Sequence, residues 1–474
     1  MDLKNKHIFK KNVISPLLKN IKADFLSGKS EEEKFYRFEL EIENIADDFD
    51  PISWLIEQDE PVKTYWSSRD KKFCVAGIGC ADLLSSNLKE YFANQYFIRD
   101  IFAVMKSRIS NTDKPVKYFG CLAFNENDRM DSLWESFGKA YFLVPRVEIY
   151  SHNKKIFIAC NIFYNPSDSK SKKDIFGEIQ QFLENIAPLN DQEEVIKIQY
   201  EYRSDNPEKE KWLRNISRVI STFDFEQINK IVLSRKTIFK LRKKISPVFL
   251  LMLLKSINVE TYDFCFQNKE NNGFIGCTPE LLYSRTNDKI YSEALAGSVL
   301  RGSSAREEKE LGEDLLKSKK DSDEYKFVFD YIKNELEKLC KTIKVINKKE
   351  IIKLSYVQHI YSSFEGTLKP DFDDFKIISS LHPTPAISGY PKQNIKEIIK
   401  RYETFYRGFY AGPVGWIGKD DSEFAVGIRS GVLNNNYLSV FSGAGIVKKS
   451  SPEEEWNEIE NKISPLLKIL QNKK

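Results

Sequence analysis

The feature that most limits what this chain can fold into is its rhythm of short apolar runs, each bounded by charged residues or by Asn, Asp and Ser. Runs of this kind predict β-strands. They cover 73–81, 118–124, 140–150 and 155–162, and later 231–239, 263–267, 273–277, 281–285 and 289–296. Helical patterns are grouped between these bursts, at about 173–186, 305–317 and 323–340. Bursts of strands without strict strand–helix alternation predict an α+β fold, with large antiparallel β-sheets in a layered core flanked by helices.

We expect one integrated globular unit with three parts along the chain. Residues 1–50 are Lys-rich and weakly patterned and form a variable N-terminal segment, and 51–205 form the N-terminal part of the fold. Residues 206–474 form the remaining part, which contains the candidate catalytic residues described below. A polar connection at 188–206 is the predicted internal seam. Asp205 or Asn206 before Pro207 is a helix-start signal, so a helix should begin there and run to about residue 223.

Charge and cysteine usage favour small-molecule chemistry in a reducing compartment. The chain has 73 basic and 69 acidic side chains, a balance too even for a nucleic-acid binder. It contains no run of 18 apolar residues, so no membrane span is predicted. The seven cysteines are scattered, without zinc-ligand spacing. We therefore expect a cytoplasmic enzyme whose thiols are small core residues.

The C-terminal helix, predicted to begin at 452, has a carboxylate-rich shoulder beside its apolar face. Ser451 and Glu454 are spaced as a capping box. Glu455, Glu458 and Lys462 follow at i, i+3 and i+7, close together on one side of the helix. The pattern fits a solvated helix face. It also fits part of a site for a hard cation such as Mg²⁺, which would need a further oxygen ligand from elsewhere in the chain.

Four other positions could carry chemistry. Glu324, at the start of a predicted helix, is a candidate for that further ligand. Lys230 opens an apolar strand and is either a solvated strand-end lysine or a desolvated lysine that acts as a base when neutral. Glu280 lies at a turn between two apolar runs, where it could serve as a general acid. Arg429, inside a strand, needs an anionic partner, and the small residues 442–445 could offer backbone amides to a carboxylate.

Ten segments in this order resemble the chorismate-utilising enzymes, which include isochorismate, salicylate, anthranilate and aminodeoxychorismate synthases. They are INKIVLSR (228–235), CTPELL (277–282), EALAGS (293–298), DSDEY (321–325), VQHI (357–360), LHPTPAISGYPK (381–392), RGFYAGPVGW (407–416), FAVGIRS (424–430), SGAGIV (442–447) and SPEEEWNEIENK (451–462). YFGCLAF (118–124) and FLVPRVEI (142–149) extend the resemblance toward isochorismate synthases into the first half. Only about the first 50 residues lie outside it.

The resemblance implies roles for the candidate residues. Lys230 matches the base that activates water, and Glu280 matches the general acid. Glu324 and Glu458 match carboxylates that bind Mg²⁺, and Glu455 supports the metal through its water shell. One departure is Tyr325, where several relatives carry His.

The resemblance also implies the residues that hold the substrate, chorismate. Those that match carboxylate-binding groups are Tyr410, Arg429, the backbone amides of Gly443, Ala444 and Gly445, and Lys462. His359 matches a histidine that lies near the substrate ring.

Two alanines in the matching segments bear on the product. Ala296 occupies the position of a lysine that adds covalently to the ring in aminodeoxychorismate synthases. Ala386 occupies a position where anthranilate and salicylate synthases typically carry threonine. The implied reaction is therefore the Mg²⁺-dependent conversion of chorismate to isochorismate, an isomerisation in which water adds at C2 and the C4 hydroxyl leaves.

Salicylate synthase is the alternative activity, and an amine-using synthase is a weaker one. The product could feed menaquinone or siderophore biosynthesis. We expect a monomer that acts without an amidotransferase subunit.

Overall fold

The computed structural model describes residues 5–27, 32–43, 45, 49–86, 97–112, 114–189, 198–353 and 357–472. The strands are β1 Lys34–Ile42, β2 Lys63–Ser67, β3 Phe73–Ile78, β4 Asp82–Ser85, β5 Tyr118–Leu122, β6 Ala140–Val144, β7 Val147–His152, β8 Lys155–Tyr164, β9 Ile198–Asn206, β10 Lys230–Leu241, β11 Tyr262–Gln267, β12 Gly273–Thr278, β13 Leu281–Thr286, β14 Lys289–Leu300, β15 Cys340–Lys353, β16 Val357–Leu368, β17 Gly389–Tyr390, β18 Pro413–Ile417, β19 Asp421–Val426, β20 Ser430–Asn434, β21 Tyr437–Val447 and β22 Leu470–Asn472.

The helices lie between these strands and at both ends of the chain. They are α1 Lys6–Phe9, α2 Ser15–Ser27, α3 Pro51–Ile56, α4 Phe97–Ser110, α5 Lys172–Asn185, α6 Lys209–Glu226, α7 Pro247–Ile257, α8 Ala305–Lys317, α9 Lys319–Leu339, α10 Asp374–Leu381, α11 Ile395–Tyr402 and α12 Pro452–Ile469. A π-helical turn, Lys10–Ile14, joins α1 to α2. Within the described part of the chain, no helix is both long and apolar enough to cross a membrane.

The described strands form two sheets. The first has 13 strands in the order β1-β8-β7-β3-β2-β11-β12-β20-β21-β10-β9-β22, with β17 paired to β10. The second has nine, in the order β15-β16-β14-β13-β19-β18-β5-β6-β4. Neighbouring strands are antiparallel except β22 and β9. Both sheets take strands from each side of residue 206, so the two halves of the chain share both sheets.

Alternation of side chains along the strands separates two cores. Trp66 faces the larger core, whose members come from both sheets, whereas its neighbour Tyr65 faces the second core. In β11, Phe264 and Phe266 enter the larger core and Cys265 enters the second. Residues of α2, α3, α5 and α7 line the second core. The first sheet is therefore covered on both faces, as its nearly continuous apolar strands require.

The predicted α+β class with large antiparallel sheets is confirmed. Three local predictions are wrong. The predicted polar seam at 188–206 ends in a strand, because its last nine residues form β9. Residues 190–197 of the seam lie outside the described part of the chain. Asn206 pairs with Lys236 of β10, so α6 begins only at Lys209. The C-terminal helix does begin at Pro452, but the Ser451 side chain makes no capping hydrogen bond.

Candidate active site

A cavity of about 280 Å³ opens where α9 and α12 approach β10, β14, β16 and β21. Predicted site residues that line it are Glu280, Ala296, Glu324, His359, Ala386, Tyr410, Arg429, Gly443, Gly445, Glu458 and Lys462. The three others, Lys230, Ala444 and Glu455, are fully buried outside the lining. Ala444 differs from its neighbours because side chains alternate along a strand, and its methyl group enters the larger core.

The glycines of β21 let long side chains from three elements approach one another. A Cβ on Gly443 would lie 3.0 Å from the Tyr410 hydroxyl. A Cβ on Gly445 would lie 2.9 Å from Oε1 of Glu324 and 2.9 Å from Cε of Lys230. A side chain at Gly445 would force Glu324 or Lys230 to shift, and one at Gly443 would press on the Tyr410 hydroxyl, so glycine leaves these side chains the room they occupy.

Lys230 begins β10 and lies behind Gly445. Its Nζ donates a hydrogen bond to Oε1 of Glu324 at 2.7 Å, and its side chain is fully buried. A buried ammonium is costly unless it is paired. The residue that matches the base and a residue that matches a metal ligand are therefore partners, although they are 94 positions apart in the chain.

Glu280 lies in the turn between β12 and β13, with only 7% of its surface exposed. Burial raises the pKa of its carboxyl to about 7, with Lys230 and Lys462 opposing the change and Glu293 adding to it. A carboxyl with this pKa is partly protonated at neutral pH, which is what a general acid needs.

His359 is held as a neutral ring with one nitrogen free. Its Nδ1 lies 3.0 Å from the carbonyl oxygen of Gly297, which can only accept, so we assign the ring proton to Nδ1. Nε2 is buried and has no hydrogen-bond partner among the described residues. Burial, with Arg429 and Lys462 nearby, lowers the pKa of His359 to about 4. Nε2 can therefore accept a hydrogen bond from a ligand in the cavity.

Two cations face the cavity together. Arg429 adopts a left-handed backbone conformation with φ 50°, and its Nη1 donates to the carbonyl oxygen of Lys462 at 2.8 Å. Nζ of Lys462 donates to the carbonyl oxygen of Gly443 and to Oε1 of Glu458, both at 2.7 Å. The donors of this cluster suit an anionic ligand.

Each predicted metal carboxylate has a lysine partner. Besides the pairs of Glu324 and Glu458 already described, Oε1 of Glu455 accepts from Nζ of Lys320 at 2.9 Å. Burial raises the pKa of Glu455, and the Glu458 carboxylate adds to the effect. Burial acts the same way on Glu458, but Lys462 outweighs it and the pKa of Glu458 is lowered.

The chemistry of these donors fits a hard cation, because carboxylates from α9 and α12 face one cavity. Among the described residues, however, no group of three or more His, Cys, Asp or Glu side chains lies at metal-binding spacing. In the structure each of these carboxylates is instead paired with a lysine. Asp321, one helical turn before Glu324, also lines the cavity and was missed in the sequence. Its i, i+3 spacing on a helix was a usable signal.

Comparison with known proteins agrees with the geometry. A family described as chorismate binding enzyme matches residues 21–471. The chain belongs to the chorismate-binding enzymes. Among the relatives of this chorismate-binding enzyme, the chloroplastic isochorismate synthase of Catharanthus roseus is 32% identical over 410 residues, which are 85% of this chain and 70% of that protein. The isochorismate synthase MenF of Bacillus subtilis is 27% identical over 416 residues, covering 86% and 87% of the two chains.

The fold of this chorismate-binding enzyme also agrees with a solved structure. The menaquinone-specific isochorismate synthase MenF from Escherichia coli superposes with a TM-score of 0.82. The match covers 97% of this chain and 100% of that one, at 24% identity. The two chains therefore share one fold over almost their whole length.

Proposed function

We propose that this protein is an isochorismate synthase, an isomerase that converts chorismate to isochorismate. The observation that supports this most directly is Glu280, a buried carboxyl with a pKa raised to about 7 that faces the same cavity as Arg429 and Lys462. A proton donor beside a cationic cluster suits a dianionic substrate that must lose a hydroxyl group. The isochorismate synthases among the relatives support the same activity.

In the proposed reaction, Lys230 in its neutral amine form takes a proton from the water that adds at C2. Glu280 gives a proton to the C4 hydroxyl, which leaves as water, so the product is an isomer of the substrate. The free Nε2 of His359 accepts a hydrogen bond from a substrate hydroxyl, and Arg429 with Lys462 binds one carboxylate.

A magnesium ion would be held by Glu324 and Glu458, with Glu455 behind them supporting its water shell. When bound, it would neutralise a substrate carboxylate beside these glutamates. The contribution of the protein is to hold these carboxylates at one wall of the cavity.

Two small side chains favour attack on the ring by water rather than by an amine, and release of isochorismate rather than its breakdown to salicylate and pyruvate. Ala296 and Ala386 both line the cavity. An alanine at 296 offers no nucleophile, so a covalent amine route is closed. An alanine at 386 offers no hydroxyl to assist elimination of pyruvate.

We further propose that the protein acts as a monomer in the cytoplasm, without an amidotransferase subunit. An amidotransferase subunit would supply ammonia, and the proposed reaction uses water as the nucleophile instead. The cysteines of the described residues are all free, as expected in a reducing compartment.

The activity is tested by incubating purified protein with chorismate and Mg²⁺ and separating the products. We expect isochorismate, no dependence on ammonia, and little pyruvate. Glu280→Gln serves as the inactive control. Stoichiometric pyruvate and salicylate would instead identify a salicylate synthase, and an ammonia-dependent aminated product would identify an amine-using synthase.

A further inference from the structure

An arginine–glutamate pair, of which the glutamate is buried and the arginine half-buried, lies next to the turn that carries Glu280. Arg69 comes from the turn between β2 and β3, and Glu293 comes from β14. Nη1 of Arg69 donates to Oε2 of Glu293 at 2.8 Å, and Nη2 donates to Oε1, so the contact is bidentate. Glu293 is only 2% exposed, and neither residue lines the cavity.

The same guanidinium also binds the backbone beside the acid. Nη1 of Arg69 donates to the carbonyl oxygen of Pro279 at 3.1 Å. The next carbonyl oxygen, that of Glu280 itself, accepts from the backbone N–H of Val426 at 2.9 Å. Two consecutive carbonyl groups of the turn are thus held by residues that are distant in the chain.

Glu293 is firmly held as well. The hydroxyls of Tyr291 and Tyr361 donate to its Oε1 at 3.2 and 3.1 Å. The ring of Tyr262 lies 5.5 Å from the Arg69 guanidinium carbon and covers the pair from β11. The Arg69–Glu293 pair therefore has a single, well-supported arrangement.

The negative charge of Glu293 also affects the protonation of the acid Glu280. The charged groups that act on the Glu280 carboxyl are Lys230 of β10, Lys462 of α12 and Glu293 of β14. Of these, Glu293 is the one that favours the protonated form. A general acid benefits from such a neighbour.

We propose that Arg69 and Glu293 are positioning residues for the acid Glu280. Arg69 fixes the backbone of the turn. Glu293 anchors Arg69 and places a negative charge near the acid. This inference rests on the proposed function.

Two substitutions separate the effects of charge and geometry. Glu293→Gln keeps an oxygen for the tyrosine hydroxyls but removes the charge. We expect its high-pH limit of activity to move down by about one pH unit, with KM for chorismate unchanged within about twofold. Arg69→Lys keeps the charge, but one ammonium cannot reproduce the fork to Glu293 and the bond to Pro279. We expect its kcat to fall about tenfold, again with little change in KM.

The matched control is Glu148→Gln, which removes a buried carboxylate that is paired with Arg37 and does not line the cavity. It should keep the wild-type pH profile. Thermal unfolding of every variant shows whether it is folded at the assay temperature.

The proposal is overturned if both variants keep the kcat and pH profile of Glu148→Gln. It is also overturned if they lose stability and turnover while the high-pH limit stays in place, because the pair would then be structural only. A wild-type protein that makes no isochorismate contradicts the proposed function instead, so the two failures are distinguishable.

Discussion

Replacing Glu280 by glutamine should change activity and stability in opposite directions. Burial raises the pKa of Glu280 from the ordinary 4.5 to about 7. One pKa unit corresponds to about 1.4 kcal/mol, so ionising this carboxyl costs the folded protein about 3 kcal/mol. The cost is absent below about pH 4.5, grows up to about pH 7 because the unfolded chain ionises first, and is complete above about pH 7.

Glu280→Gln escapes this cost because its amide never ionises. We expect its free energy of unfolding to exceed that of the wild type by about 3 kcal/mol at about pH 8 and by less than about 1 kcal/mol at about pH 5. Its turnover should fall by about 10²- to 10⁴-fold because the acid is gone. Wild-type turnover should itself decline above about pH 7, as Glu280 loses its proton.

Denaturant unfolding at several pH values measures the stability difference, and product formation from chorismate measures turnover. The control is Glu365→Gln, an exposed carboxyl on β16, which should show neither effect. A stability difference that stays constant from about pH 5 to 8, or a Glu280→Gln variant with near-normal turnover, refutes the reasoning.

Two further predictions concern the base and the metal. Lys230→Ala should lower turnover by about 10²- to 10⁴-fold while chorismate still binds, as measured by kinetics and direct binding; near-normal turnover would remove Lys230 from the mechanism. Activity should disappear with EDTA and return with Mg²⁺, and Glu324→Ala or Glu458→Ala should prevent the return at ordinary concentrations, whereas Glu365→Ala should not. Full activity in metal-free buffer would contradict the proposed metal site.

Local sequence signals predicted elements well where no distant partner competes. Helix α8 has the predicted bounds 305–317, and the C-terminal helix begins at Pro452 as expected. The helix start at Asn206 was wrong because antiparallel pairing of β9 with β10 extends the strand through that residue. Long-range pairing of strands overrides a local capping preference.

The residues that line the cavity could be predicted from the matching segments, but the contacts among these residues could not. The matching segments contain most of the residues that line the cavity, including Glu280 and His359. The ion pair between Lys230 and Glu324 joins two elements across 94 positions, and no periodicity relates them. Arg69 lies in a turn outside any matching segment, so the sequence carried no signal for its contact with Pro279.

The lysine partners of the carboxylates explain how such a site folds before it binds anything. Carboxylates gathered in and beside one cavity would repel one another, and Lys230, Lys320 and Lys462 supply the compensating charge. A divalent cation alone would add two positive charges to a wall whose glutamates are already balanced by lysines, and a dianion alone would add two negative charges to it. The two together leave the total charge unchanged, because their charges cancel. The charge pattern of this cavity therefore favours joint binding of cation and dianion over binding of either one, and it does so with residues drawn from α9, α12 and β10.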